Sequence, residues 1–379
     1  MLKKYFPEEI GITKRDFFAI FILLLNSFTW YYMTLILIDS ISSDLNMASL
    51  SRALYYTLSF GSSIIGAVLS DKIRRLQFLK FWIALGVISS LLPYFIGITT
   101  PTHVLVIFSF LGITFGLGMP SCLAYFADYT IVENRGRISG IIFLITNLSA
   151  LPLSILFMMS DVATSFITLA IWRGLGLILF LFLIYDQKMA IERKRASFTS
   201  IFYNRSFVLY VIPWFMFNFI NISEKIILKD FFGPDFHSFI LMMEPMIGSF
   251  SAFAGGLLSD IIGRKKVVIY GFVSLGVAYA IIGIAPRPPM LLSWYFYLIV
   301  DGVAAGILWV TFILVLWGDL SQLGAREKYY AVGSTPFLMT EIIPLILAPY
   351  ITTIPAYAAF SLASFFLYLS VLPLMYAPE

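Results

Sequence analysis

Twelve long apolar runs joined by short loops constrain this chain more than any other feature. A membrane-spanning helix needs about 20 predominantly apolar residues. Runs of that kind lie near 17–38, 48–70, 78–98, 103–127, 138–159 and 164–185, and again near 207–228, 237–259, 266–285, 291–317, 330–350 and 355–376. Lipid offers backbone polar groups no partner, so spans of this length are helices. Charged residues make up 12% of the chain, half the roughly 25% a soluble domain carries. Mean hydropathy is +0.92. No polar stretch is left over for a separate soluble domain, and the surface is expected to face a lipid bilayer.

The longest polar interruption, around 186–205, holds Lys188, Arg193, Lys194, Arg195 and Arg205 and separates two groups of six spans. The expected organisation is an N-terminal six-helix bundle over 1–186, a linker over 187–205 and a C-terminal six-helix bundle over 206–379. Lys and Arg collect on the cytoplasmic side of membrane proteins. With the N-terminus inside, twenty of the 25 basic residues fall in cytoplasmic segments. Both termini are therefore expected in the cytoplasm. The opening MLKKYFPEEIGITKRDFF reads as a cytoplasmic tail and not as a signal peptide, because no small-residue cleavage site follows it.

The halves repeat. Gly66, Ser70, Asp71 and Arg75 recur 189 positions later as Gly255, Ser259, Asp260 and Arg264. Gly112 and Gly116 recur at 190 as Gly302 and Gly306, and Asp128, Arg135 and Arg137 recur at 191 as Asp319, Arg326 and Lys328. So small a drift over three separate places describes one six-helix unit used twice.

These landmarks resemble the major facilitator superfamily over the whole chain. The family's signature between the second and third spans is Gly-x-x-x-Asp-(Arg/Lys)-x-Gly-(Arg/Lys)-(Arg/Lys). Gly256, Asp260, Gly263, Arg264 and Lys265 match it, with Ile261 departing. In the first half Asp71, Lys72 and Arg75 match, while Ala67, Arg74 and Leu76 depart. The resemblance implies the major facilitator fold and alternating access. It implies gating clusters built from Asp71, Arg75, Asp128 and Arg135 in one half and Asp260, Arg264, Asp319 and Arg326 in the other. Asp71 would latch near the eleventh span and Asp260 near the fifth, with Arg326 and Arg135 as their partners.

Three acids break the repeat. Glu244, Asp301 and Glu341 lie inside the eighth, tenth and eleventh spans, where the other half has residues near Tyr55, Leu111 and Ala150. A carboxylate at the bilayer centre costs about 2.5–3.5 kcal/mol on insertion scales. A scaffold common to both halves does not need that cost, so the three acids are candidates for proton coupling, with sodium as the other coupling ion. Asn218, Asn221 and Lys225 share a face of the seventh span at helical spacing and are candidates for solute binding. Asn26 and Trp30 in the first span join them as substrate-binding candidates. So does Arg173, in a Trp172-Arg173 pair that the resemblance also makes a structural feature of the sixth span. Asp39 and Arg52 read as an ion pair at the outer rim.

A single cysteine, Cys122, and two histidines, His103 and His237, supply neither a disulfide nor a metal cluster. No nucleophile–base pair stands out, a net charge of +4 does not call for nucleic acid, and no cofactor is expected. The sequence leads to a monomeric, multi-pass protein of the cell membrane that is not an enzyme. It is expected to carry a small polar organic solute, a sugar or a carboxylate metabolite, in symport with protons. Of the alternatives, a drug or metabolite exporter is weakened by a fifth span, GIIFLITNLSALPLSILF, without a Gly-Pro motif. The other is an intramembrane lipid-modifying enzyme.

Overall fold

The computed structural model describes residues 13–42, 45–184, 197–284, 291–321, 325–340 and 342–378. The helices are α1 (Lys14–Ile41), α2 (Leu45–Leu69), α3 (Arg75–Ile96), α4 (Pro101–Tyr129), α5 (Val132–Met159) and α6 (Val162–Leu183). The short α7 (Phe198–Phe202) precedes α8 (Arg205–Phe232), α9 (Pro234–Ile262), α10 (Arg264–Ile284) and α11 (Leu291–Val310). A π-helical turn, Thr311–Leu316, carries α11 into α12 (Trp317–Leu320). Then come α13 (Arg326–Gly333), α14 (Thr335–Thr340), α15 (Ile343–Ile351), α16 (Ala356–Leu369) and α17 (Val371–Met375).

Among the described residues, eleven helical stretches are long and apolar enough to cross a membrane. The twelfth expected span is α2, which has the length, 25 residues, but is diluted by polar side chains. Those side chains turn inward: Ser51, Tyr55, Tyr56, Ser59, Ser62 and Ser63 are all buried. The eleventh span runs as α13, α14 and α15, with Pro336 and Pro344 in the first turns of α14 and α15, where a missing N–H costs no helix hydrogen bond, and Pro349 inside α15.

The chain forms two compact units. Unit 1 comprises Met1–Asn134, Ile145–Ala196 and Ser321–Leu338; unit 2 comprises Arg135–Leu144, Ser197–Leu320 and Met339–Glu379. Each unit is thus completed by a short piece from the other half of the sequence: the start of α5 belongs to unit 2, and α13 belongs to unit 1.

Glycines set the spacing inside each unit. In unit 1, a Cβ at Gly66, Gly112 or Gly116 would run into backbone carbonyls of Leu117, Tyr55 and Ser59. The backbones of α2 and α4 therefore touch, and Ser59 Oγ donates to the Gly112 carbonyl at 2.9 Å. In unit 2, a Cβ at Gly306 would meet the Gly248 backbone, and one at Gly302 would lie 2.9 Å from Ile247 Cγ2. Small residues allow such approach between membrane helices. Gly112→Val is expected to cost about 1–3 kcal/mol by overpacking, read as a lower melting temperature in detergent. A wild-type melting curve for that variant would contradict the seam.

Candidate functional site

Unit 2 brings buried carboxylates together. On α8, Phe217, Ile220, Glu224 and Leu228 are all buried. Their spacing of three or four residues makes one inward stripe, so Glu224 occupies a position that the rest of the stripe gives to apolar side chains. Its Oε2 accepts a hydrogen bond from the Tyr279 hydroxyl on α10, and its Oε1 is buried without a partner. On α11, Asp301 is 5% exposed, and Gly302 beside it packs on α9 where an added Cβ would stand 3.4 Å from the Glu244 carbonyl oxygen. The contact sets Asp301 and Glu244 at the same level of two touching helices.

Glu224, Glu244 and Asp301 thus stand on α8, α9 and α11 of this unit, with Lys225 next to Glu224 in sequence. Among the described residues, none of the three forms a direct ion pair. Tyr297 lies one turn before Asp301 on α11. Its ring centroid is 5.7 Å from that of Tyr279, and its hydroxyl is buried without a partner.

Glu244 and Asp301, both expected from the sequence, are therefore in one cluster. Glu341, the third expected acid, lies outside the described residues. Glu224 was not expected. Its position on the buried stripe 217–220–224–228 was the available signal, and the adjoining Lys225 masked it. Of the α8 residues expected to share a polar face, Asn218 is buried and spends its amide on the Trp214 carbonyl, 2.7 Å away in its own helix. Asn221 is half-buried and Lys225 is exposed.

The three candidates in unit 1 form a different arrangement. Arg173 is fully buried, with its guanidinium carbon 4.4 Å from the ring centre of Trp82 and 4.8 Å from that of Trp30. Its Nη1 donates to Asn26 Oδ1 at 2.8 Å and to Ser27 Oγ at 2.9 Å. Asn26 in turn donates to the Trp172 carbonyl at 2.6 Å, and Trp30 Nε1 donates to Ser90 Oγ at 2.9 Å. Gly86 on α3 makes the space, since a Cβ there would stand 2.7 Å from Arg173 Nε. A cation held between two aromatic faces gains up to about 2 kcal/mol when desolvated. The polar groups of Asn26, Trp30 and Arg173 are directed at α1, α3 and α6, which they tie together. At the rim, Arg52 Nε donates to Asp39 Oδ1 at 2.9 Å, the ion pair expected there.

The repeated Asp and Arg residues form one cluster per unit. In unit 1, Asp128 accepts from Arg75 and from Arg326 Nη1, the latter at 2.5 Å. Arg75 Nε also donates to Glu327 Oε1 at 2.8 Å, and Lys328 Nζ donates to Asp71 Oδ2 at 2.6 Å. In unit 2, Asp319 accepts from Arg135 and from Arg264 Nε, the latter at 2.9 Å. Asp260 accepts from the Gly136 and Arg137 backbone N–H groups at 2.9 and 2.8 Å, from Arg137 Nε at 3.2 Å and from Arg264 Nη1 at 2.8 Å.

All eight expected gating residues take part, with one correction. Asp71 pairs with Lys328 and Asp260 with Arg137, whereas Arg326 and Arg135 hold Asp128 and Asp319. The two acids of each cluster thus meet different basic residues at the start of the docking helix, Asp128 and Asp71 meeting Arg326 and Lys328, and Asp319 and Asp260 meeting Arg135 and Arg137. Arg75–Asp128, Arg326–Asp128 and Lys328–Asp71 recur in unit 2 as Arg264–Asp319, Arg135–Asp319 and Arg137–Asp260, whereas among the described residues Arg264–Asp260 and Arg75–Glu327 do not recur, the latter because Gly136 stands where the second half has Glu327. Gly136 cannot be larger: a Cβ there would strike Gly256 and Ser259 of α9.

A family model described as Major Facilitator Superfamily matches residues 17–237. No curated protein matches the chain. Among solved structures, the human organic anion transporter MFSD10 (TETRAN) is 14% identical, with 95% of this chain and 99% of that chain covered at a TM-score of 0.72. The proton:xylose symporter XylE is 15% identical, with 94% of each chain covered, also at 0.72. FucP in the outward conformation is 12% identical, with 96% of this chain and 98% of that chain covered at 0.76. At such identities the likeness shows a shared fold.

Proposed function

Because the chain belongs to the Major Facilitator Superfamily, we propose that it is a secondary active transporter that moves a small polar organic solute by alternating access, coupled to protons in symport. The observation that carries this reading is the group of carboxylates in the interior of unit 2. An ionised acid inside an apolar bundle is costly, and a proton removes the cost while it is bound. A group that exchanges one proton at that position gives the protein two states of different charge, which a gradient can drive in sequence.

Glu244 and Asp301 are the proposed coupling residues, with Glu341 as the third. Asn221 and Lys225, the less enclosed residues of the α8 face, are proposed to meet the solute. Asn26, Trp30 and Arg173 are proposed to hold their unit rigid while it moves. The two Asp–Arg clusters are proposed as the gating latches on the cytoplasmic side, with both termini in the cytoplasm and the protein in the cell membrane. The proton:xylose and fucose:proton symporters among its structural neighbours support symport as a mode available to this fold.

The test is uptake into proteoliposomes with and without an inward proton gradient, using a panel of labelled sugars, organic acids and amines. The gradient is expected to drive accumulation in wild type. Glu244→Gln and Asp301→Asn are expected to hold the solute at its equilibrium level while still exchanging it. Accumulation that ignores the gradient and survives both substitutions would overturn proton coupling.

A further inference from the structure

We infer that the carboxylate cluster of unit 2 is a binding site for an organic ammonium ion, so that the cargo carries a positive charge. The inference rests on the transporter reading and departs from the sugar or carboxylate cargo expected from the sequence. Its basis is the charge and donor count at the site. Glu224, Glu244 and Asp301 put three carboxyl groups on helices of this unit, and the one cation beside them in sequence, Lys225, is exposed while Glu224 and Asp301 are buried. Two further groups converge there without carrying charge. The Tyr279 hydroxyl is bonded to Glu224, and Tyr297, whose ring centroid is 5.7 Å from that of Tyr279, has a buried and unpartnered hydroxyl.

An anionic solute would meet like charge at this site, and like-charge contact rejects a ligand strongly. A sugar needs donors as well as acceptors to satisfy its hydroxyl groups. Two of the neutral donors here are already committed, the Tyr279 hydroxyl to Glu224 and the Asn218 amide to its own helix. An ammonium group answers both deficits. It supplies positive charge to the free Oε1 of Glu224, leaving Asp301 and Glu244 to the proton, and the tyrosine rings present π faces of the kind that attract a cation. The site lies wholly within unit 2 and involves neither the Asp–Arg clusters nor the α1–α3–α6 core of unit 1.

Equilibrium binding at fixed pH, without any gradient, tests this apart from proton coupling. The probes are choline, its neutral isostere 3,3-dimethyl-1-butanol and the anion 3,3-dimethylbutyrate, with tetraethylammonium as a larger cation, each titrated against the purified full chain by thermal shift. At least one of the two cations is expected to bind about tenfold or more tightly than the neutral isostere, a difference of about 1.4 kcal/mol, with the anion weakest. Glu224→Gln, which keeps side-chain shape, is expected to remove the preference. Tyr297→Phe is expected to retain it at reduced affinity. Neutral isostere binding as well as both cations, preference for the anion, no cation binding, or a preference that survives Glu224→Gln would each overturn the proposal. Gradient-driven uptake with no cation binding would sink this inference alone; cation binding with gradient-blind uptake would sink only the coupling.

Discussion

Asp260→Ala is expected to lower the stability of the protein by about 3–5 kcal/mol, the range for removing one partner from a buried charge cluster. The side chain of Asp260 is wholly enclosed. It accepts four hydrogen bonds from two elements: the start of α5, through two backbone N–H groups and Arg137, and Arg264 at the start of α10. Alanine would leave two guanidinium groups without that carboxylate and two backbone donors without an acceptor at close quarters. Asparagine keeps the shape but removes the charge and turns an amide N–H₂ toward donors. Its cost is expected to approach the 1.5–3 kcal/mol typical of a hydrogen bond to a charged group. Thermal melting in detergent measures both variants. A melting temperature within a degree of wild type for Asp260→Ala would show that the cluster does not hold α5 to α9.

Arg75→Ala is expected to act with similar force in unit 1. Arg75 bridges Asp128 and Glu327, and the side chains of all three are nearly enclosed. Removing the arginine leaves two carboxylates facing each other, with only Arg326 still paired to Asp128. The cost is again about 3–5 kcal/mol, and much of it is the penalty of stranding Glu327. Adding Glu327→Gln to Arg75→Ala is therefore expected to restore part of the loss. Partners in one network show coupling energies of about 0.5–3 kcal/mol in double-mutant cycles. Strict additivity of the two substitutions would mean that the bridge carries no energy.

The repeat made the two clusters legible before any coordinates. Offsets of 189 to 191 pair Asp71 with Asp260, Asp128 with Asp319 and Arg135 with Arg326, and the contacts follow the same pairing. The choice between Arg326 and Lys328 as the mate of Asp71 was not legible. Both residues stand in the first turn of α13, and which one faces α2 depends on how that helix is rotated against its neighbour, which no local pattern encodes. The same limit hid Glu224, whose meaning lies in Tyr279, 55 positions away and on another helix. Asn26 and Arg173 were legible as polar residues in apolar spans. Their mutual bond, across 147 positions, was not, so polarity inside a span pointed to solute contact where the structure shows helix-to-helix ties. The serines and tyrosines of α2 posed the reverse problem, since they make a membrane helix look less apolar than its neighbours while Ser59 and Tyr55 pack on α4 and Tyr56 on α1 and α14.

The π-helical turn Thr311–Leu316 has a consequence for register. Asp301 and Asp319 lie eighteen residues apart on one nearly continuous rod, about 27 Å along the axis at an α-helical rise. A π turn accommodates roughly one residue more than an α turn, and one residue is worth about 100° of azimuth. The surplus residue therefore decides which way Asp319 faces relative to Asp301. Tightening that turn to α geometry would swing Asp319 off the axis of Arg135 and Arg264 without moving Asp301. The two ends of the rod are thus phased by a single turn of helix, and torsion at that turn is the shortest mechanical link between the carboxylate site and the ion cluster of its own unit.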